Sequence, residues 1–313
     1  MKYNQVTLNC GSTIPIMALG TYSSQNDREE TKHAVQTALK MGYRHFDTAK
    51  IYGSEAAVGE ALTESILNQT VEREDIFLTS KLWGSDHHDP VSGLTRTLKE
   101  VGDGTCRHVP GALASEVEAM GYQCCPSFEP VLDLETTWGG MERCLDMGLC
   151  RSIGVSNFST NKIQRLLDFA SIPPAVNQVE MHPRWRQTKL REFCGDHNIH
   201  ISAYSPLGGP GNAWGSTAVV DDPIIQSIAL EHKATPAQVA LGWGLSKGAS
   251  VIVKSFNKER MKENMGALDL RLDDHDLLNI EMMEERKIMR GEFLVNQTTS
   301  PYKTIQDLWD DEI

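Results

Sequence analysis

An aspartate, a tyrosine and a lysine lie at or just past the ends of short apolar runs. His45-Phe46-Asp47-Thr48 closes one run with a carboxylate, Tyr52 follows in the next turn, and Lys81 closes a second run in Thr79-Ser80-Lys81-Leu82-Trp83. A phenol with a reference pKa of about 10 is a poor acid at neutral pH. A neighbouring ammonium stabilises its phenolate, and a carboxylate holds that ammonium in place. Together the three groups can protonate a carbonyl oxygen as hydride reaches its carbon. The spacing equally allows a structural ion pair of Asp47 with Lys81 beside a packed Tyr52, and the pattern leaves both open.

These residues need elements that converge on one point. After a hairpin over residues 5–8 and 13–17, short apolar runs occur at 16–19, 45–48, 76–80, 152–155, 175–179, 200–203 and 250–253. Amphipathic stretches at 29–41, 54–66, 94–100, 135–147, 161–170, 188–197, 223–231, 236–246 and 258–268 separate them. That alternation predicts a parallel sheet covered by helices. A TIM (β/α)8 barrel formed by one domain, residues 1–313, would gather the strand ends at a single mouth. A doubly wound sheet is disfavoured, because no GxGxxG follows a first strand and no composition break marks a second domain. A final helix over 273–283 leads into a polar tail ending in Tyr302-Lys303-Thr304-Ile305-Gln306-Asp307-Leu308-Trp309. The tail is expected to fold over the barrel mouth, with a solvated terminus as the other reading.

Seven strands leave such a barrel one short. The fourth belongs between the helices ending near Glu100 and starting near Glu135, where residues 101–126 read VGDGTCRHVPGALASEVEAMGYQCCP. Glycines, two prolines and the lack of a useful apolar run make the region 101–127 aberrant for a strand.

Composition excludes several classes. A net charge of -12 argues against nucleic acid or an anionic membrane surface as partner. No run approaches the roughly 18 to 20 apolar residues of a membrane span, and MKYNQVTLNCG lacks the apolar core of a signal peptide, so a cytoplasmic protein is expected. Seven irregularly spaced cysteines, including the adjacent Cys124 and Cys125, read as free thiols rather than metal ligands. His87 and His88, between Asp86 and Asp89, read as a solvated helix start rather than a metal site.

The run Gly42-Tyr43-Arg44-His45-Phe46-Asp47-Thr48-Ala49, followed by Tyr52-Gly53-Ser54-Glu55, resembles the first signature of the aldo-keto reductases. Further resemblances follow in order: Thr79 to Trp83, Ile153-Gly154-Val155-Ser156-Asn157-Phe158, Pro173-Pro174-Ala175-Val176-Asn177-Gln178-Val179-Glu180, Ala203-Tyr204-Ser205-Pro206-Leu207-Gly208, and the stretch from Ile252 to Arg260. The resemblance implies a monomeric enzyme that reduces a ketone or aldehyde with NADPH. Tyr52 is then the proton donor, tuned by Lys81 and Asp47. Ser156, Asn157 and Gln178 bond the nicotinamide carboxamide and Tyr204 stacks on its ring, while Gly20, Thr21, Asp47, Ser205, Pro206 and Leu207 complete the cofactor's bed. Lys254, Ser255, Phe256, Asn257, Arg260, Glu263 and Asn264 hold the adenosine end, where two cations suit the extra phosphate of NADPH. Trp83, His182 and Trp214 are candidate walls for a small-molecule carbonyl substrate. The Tyr302 to Trp309 ending and Trp214-Gly215-Ser216 resemble a plant group that includes codeinone, chalcone, methylecgonone and deoxymugineic acid pathway reductases, which points to plant secondary metabolism.

One motif departs. Relatives of this kind end the fourth strand with His-Trp-Pro or His-His-Pro, and here the region holds only His108. The ten residues from Cys106 to Ser115 can be encoded so that reading from the second base gives Val-Asp-Met-Tyr-Leu-Val-His-Trp-Pro. A compensated frameshift between about Val101 and Phe128 is therefore expected. Taken as written, the chain has two rivals to the active enzyme: a cofactor-binding but catalytically impaired member, or a regulatory subunit of the same fold, against which the plant-type tail argues.

Overall fold

The computed structural model describes residues 4–23, 27–102, 112–115, 133–298 and 300–313. Strands β1 (Gln5–Thr7) and β2 (Thr13–Pro15) form the antiparallel hairpin, with Val6 opposite Ile14. Leu8 and Ile14 pack on Phe77, Ala175 and Val176. Phe77 and Val176 open their strands, so the hairpin plugs the end of the sheet where strands begin.

The sheet is a closed parallel barrel. Its strands are β3 (Met17–Gly20), β4 (His45–Asp47), β5 (Phe77–Leu82), β6 (Ala112–Ser115), β7 (Ser152–Ser156), β8 (Val176–Glu180), β9 (His200–Tyr204) and β10 (Ser250–Val253). They run in sequence order, and β10 pairs with both β9 and β3 to close the ring. Barrel interior and helical layer cover both faces, which is why these strands read as continuous apolar runs rather than alternating ones.

Strand β6 differs from the reading of 101–127 as a segment without a strand. Its residues pair Leu113 with Ser80, Ala114 with Lys81 and Ser115 with Leu82 on one side, and Ala112 with Ser152 through Ser115 with Val155 on the other. Two neighbouring strands, each with a row of backbone donors and acceptors to satisfy, template this position more strongly than the segment's own side-chain pattern does. His108 and most of the proposed frameshifted stretch lie outside the described residues.

The helices are α1 (Arg28–Lys40), α2 (Glu55–Leu67), α3 (Pro90–Glu100), α4 (Leu134–Asp146), α5 (Thr160–Leu167), α6 (Thr188–Asp196), α7 (Pro223–Glu231), α8 (Pro236–Ser246), α9 (Lys258–Met265), α10 (Asp274–Glu281) and α11 (Ile305–Trp309). Helix α3 starts four residues before its apolar pattern, because the Asp89 carboxylate accepts from Ser92 N and Pro90 needs no donor in the first turn. Among the described residues, no helix is long and apolar enough to cross a membrane.

The tail runs back along the rim where strands end, as expected. Ile288 N and Met289 N donate to the Glu180 carboxylate at 2.7 and 3.0 Å. Lys162 Nζ donates to Leu308 O and to Asp310, and Thr160 N donates to Glu312.

Candidate active site

Strands β4 and β5 are neighbours in register, so Asp47 and Lys81 leave the sheet side by side. Lys81 Nζ donates to Asp47 Oδ1 at 2.8 Å, Asp47 Oδ2 at 2.9 Å, Thr48 O at 3.0 Å and Tyr52 Oη at 3.3 Å. Both charged side chains are buried, with Lys81 only 1% exposed. Burying charges is unfavourable unless each is paired and fully bonded, and here Gln178 Nε2 adds a bond to Asp47 Oδ2 at 2.9 Å. An ammonium can only donate, so the phenol oxygen accepts from Lys81 and directs its own proton elsewhere. Tyr52 is half-buried at the mouth, with the Tyr22 ring edge-on at 5.2 Å. The three groups meet as expected from their types.

Thr21 and Ser54 extend the site beneath Tyr52. Thr21 Oγ1 donates to Asp47 O and shares a bond with Ser54 Oγ, which also bonds Thr48 Oγ1. Gly20 ends β3 opposite Asp47, with Ile252 and Lys254 closing in on the space a Cβ would take.

Strands β7, β8 and β9 bring the next group together. Ser156 Oγ donates to Gln178 O, and Tyr204 Oη donates to Asn157 Oδ1 at 2.9 Å. Asn157 and Ser205 both adopt left-handed backbone, with φ of 62° and 49°, where the chain turns out of its strands. Since Gln178 Nε2 serves Asp47, its Oε1 is left to accept; since Asn157 Oδ1 serves Tyr204, its Nδ2 is left to donate. A primary carboxamide needs one of each. The donor set therefore fits nicotinamide. Pro206 is buried and Leu207 half-buried beside this turn.

The residues expected at the adenosine end lie together after β10 and on α9. Lys254 is exposed with Nζ 4.4 Å from the Phe256 ring centroid, and Arg260 is exposed on the first turn of α9. Partial burial holds the Lys254 ammonium below its usual range, and Arg260 pushes it the same way, so the two cations are close enough to repel. Neither has a carboxylate at ion-pair distance among the described residues. Such a pair fits a phosphate. Ser255 Oγ accepts from Asn257 N, and the Asn257 side chain caps α9 by accepting from Arg260 N. Glu263 is half-buried and gives its carbonyl to Gln238. Asn264 is buried on α9, with its amide bonded to the Tyr43 hydroxyl.

Of the candidate substrate walls, Trp83 and Trp214 are half-buried, and Trp214 lies against Gly209. His182 is a correction. It is 0% exposed, with Nε2 3.0 Å from Glu180 Oε1, and so lines no solvent-open pocket. Glu180 also faces buried Lys287 at 3.6 Å, and these partners together hold its carboxyl below the usual range against the cost of burial. Only the fold brings Lys287 to Glu180.

 No motif singles out Lys287, and that is why the sequence reading missed it. Lys50 and Asp86 were missed for a similar reason: Asp86 reads as part of a solvated helix start, yet it is buried and accepts from Lys50 and Arg96.

The profile of the Aldo/keto reductase family matches residues 16–285. The chain is 43% identical to the (1S)-1,7-diacetoxy-luvungin A aldo-keto reductase of Citrus sinensis, covering 97% of each chain. It is 42% identical to deoxymugineic acid synthase 1 of Zea mays, over 97% of this chain and 98% of that one. It is 40% identical to aldo-keto reductase family 4 member C11 of Arabidopsis thaliana, over 98% and 97%. With the closed barrel and the residues at its mouth, these similarities make the chain a member of the aldo/keto reductase family.

Proposed function

We propose that the chain reduces a ketone or aldehyde to an alcohol with NADPH, and that Tyr52 delivers the proton. The observation that carries this reading is the buried Lys81 ammonium, which reaches Asp47 and the Tyr52 oxygen at once. NADPH, when bound, supplies the hydride. Asn157 and Gln178 would hold its carboxamide, Ser156 would brace Gln178, and Tyr204 would lie against the ring. Lys254 and Arg260 would take the phosphate that distinguishes NADPH from NADH. As charge builds on the substrate oxygen, the phenol gives up its proton and Lys81 stabilises the phenolate left behind. Asp47 holds Lys81 in place through both carboxylate oxygens. The names of the relatives, which include a luvungin derivative and deoxymugineic acid, support a small plant metabolite as substrate.

Tyr52→Phe tests the acid. Turnover of any accepted carbonyl should fall by about 10²-fold or more, while NADPH affinity, read by fluorescence quenching, stays within about twofold. Turnover that persists in this variant rules Tyr52 out as the donor.

A second reading, a member that binds cofactor but turns over weakly, is favoured by one observation: β6 carries Ala112, Leu113, Ala114 and Ser115, with no histidine. NADPH quenching without NADPH oxidation across a panel of aldehydes and ketones would select it.

A further inference from the structure

The turn that carries Tyr52 is thinly held. Residues Lys50–Tyr52 form a single 3-10 turn with no side-chain cap, closed by backbone bonds from Tyr52 N to Ala49 O at 2.9 Å and Gly53 N to Lys50 O at 3.2 Å. Ile51 at its centre is exposed. The Tyr52 oxygen is also the most distant of the four acceptors around Lys81 Nζ. Its position therefore depends on what fixes the turn.

Lys50 supplies a fixed point. Its Nζ donates to Asp86 Oδ1 at 2.9 Å and Oδ2 at 2.6 Å. Asp86 is 3% exposed and also accepts from Arg96 on α3 at 2.6 Å. Helix α3 presses directly on it: a Cβ added to Gly93 would lie 2.9 Å from Asp86 Cβ. Asp86 N donates to Trp83 O at 2.7 Å, so the same carboxylate sits in the loop that carries a candidate substrate wall.

We infer that Asp86 is a positioning residue, which through Lys50 sets the Tyr52 hydroxyl over Lys81 and ties it to the Trp83 loop. The inference rests on the reading of Tyr52 as proton donor. It adds a carboxylate that touches neither substrate nor cofactor. A displacement of about 1 Å at a reacting group can lower a rate by about 10²-fold, and the Lys50–Asp86 pair bonds the turn to a buried carboxylate.

The test uses the full chain with Lys50→Met, Asp86→Asn, both together, Lys50→Arg, and Lys32→Met as a control that breaks a surface pair with Glu64. In Lys50→Met, kcat should fall about tenfold to a hundredfold with NADPH affinity nearly unchanged. The double variant should be no worse than the poorer single, and Lys50→Arg and Lys32→Met should stay near the parent. Unchanged kcat in Lys50→Met, or a double variant whose loss is the product of the two singles, overturns the inference. Should Asp86→Asn not fold, Lys50→Met alone decides. An activity-independent readout separates this from the acid assignment: the tyrosinate difference spectrum between each chain and the same chain carrying Tyr52→Phe. In Lys50→Met the phenol should titrate at higher pH than in the parent, as it drifts from the ammonium. An unmoved titration overturns the positioning role, whereas turnover surviving Tyr52→Phe overturns the acid assignment instead.

Discussion

Lys254 and Arg260 show how much one pair of side chains can decide. Both are exposed cations on the same rim, and partial burial and mutual repulsion hold the Lys254 ammonium below its ordinary range. A bound phosphate would relieve that repulsion and gain charge-assisted bonds. Lys254→Ala and Arg260→Ala should each raise the NADPH Kd by about tenfold, equivalent to about 1.4 kcal/mol, and change the NADH Kd much less. Fluorescence quenching with both nucleotides reads the difference. Equal weakening toward NADPH and NADH would mean that these cations do not recognise the extra phosphate.

At the scale of elements, seven barrel strands are legible because burial on both faces forces apolar runs, and the helices between them are legible through their amphipathic period and their caps. Asp47, Tyr52 and Lys81 are legible because their types make chemical sense at adjacent strand ends. His182 misleads because a sequence does not show which way a side chain turns at a rim: it is buried against Glu180. Asp86 misleads because helix-start chemistry and buried ion pairing use the same residue type, and only Asp89 is the cap. Strand β6 is illegible because its place is set by β5 and β7. The frameshift reading makes a direct prediction about it. Transcript sequence across codons 101–127 should be compatible with the shifted frame, and incompatible codons sink the idea. A chain carrying Val-Asp-Met-Tyr-Leu-Val-His-Trp-Pro at 106–114 should turn over faster, by about 10²-fold or more, since a positioned imidazole contributes on that order.

Across the whole molecule, the two ends of the barrel handle charge differently. At the mouth, buried charged groups occur in pairs, as in Asp47 with Lys81 and Glu180 with Lys287. Toward the strand starts, His45 is buried without a countercharge in contact: Nδ1 lies 3.1 Å from Pro15 O and Nε2 2.9 Å from Thr79 Oγ1. Pro15 O can only accept, so Nδ1 carries the proton and Nε2 accepts from the threonine. Burial pushes the His45 imidazole down to about 4, and burial does the same to His200. A depressed folded value means that the unfolded chain binds the proton first as pH falls. The stability due to the neutral ring is complete above the unfolded value of about 6.5 and is lost progressively as pH falls toward 4, by on the order of 3 kcal/mol for His45. Urea melts at pH 7.5 and pH 5 should therefore differ, and His45→Gln should flatten the difference, since an amide can still donate to Pro15 O and accept from Thr79 without titrating. A His45→Gln chain that loses as much stability between these pH values as the parent would place the acid sensitivity elsewhere in the fold.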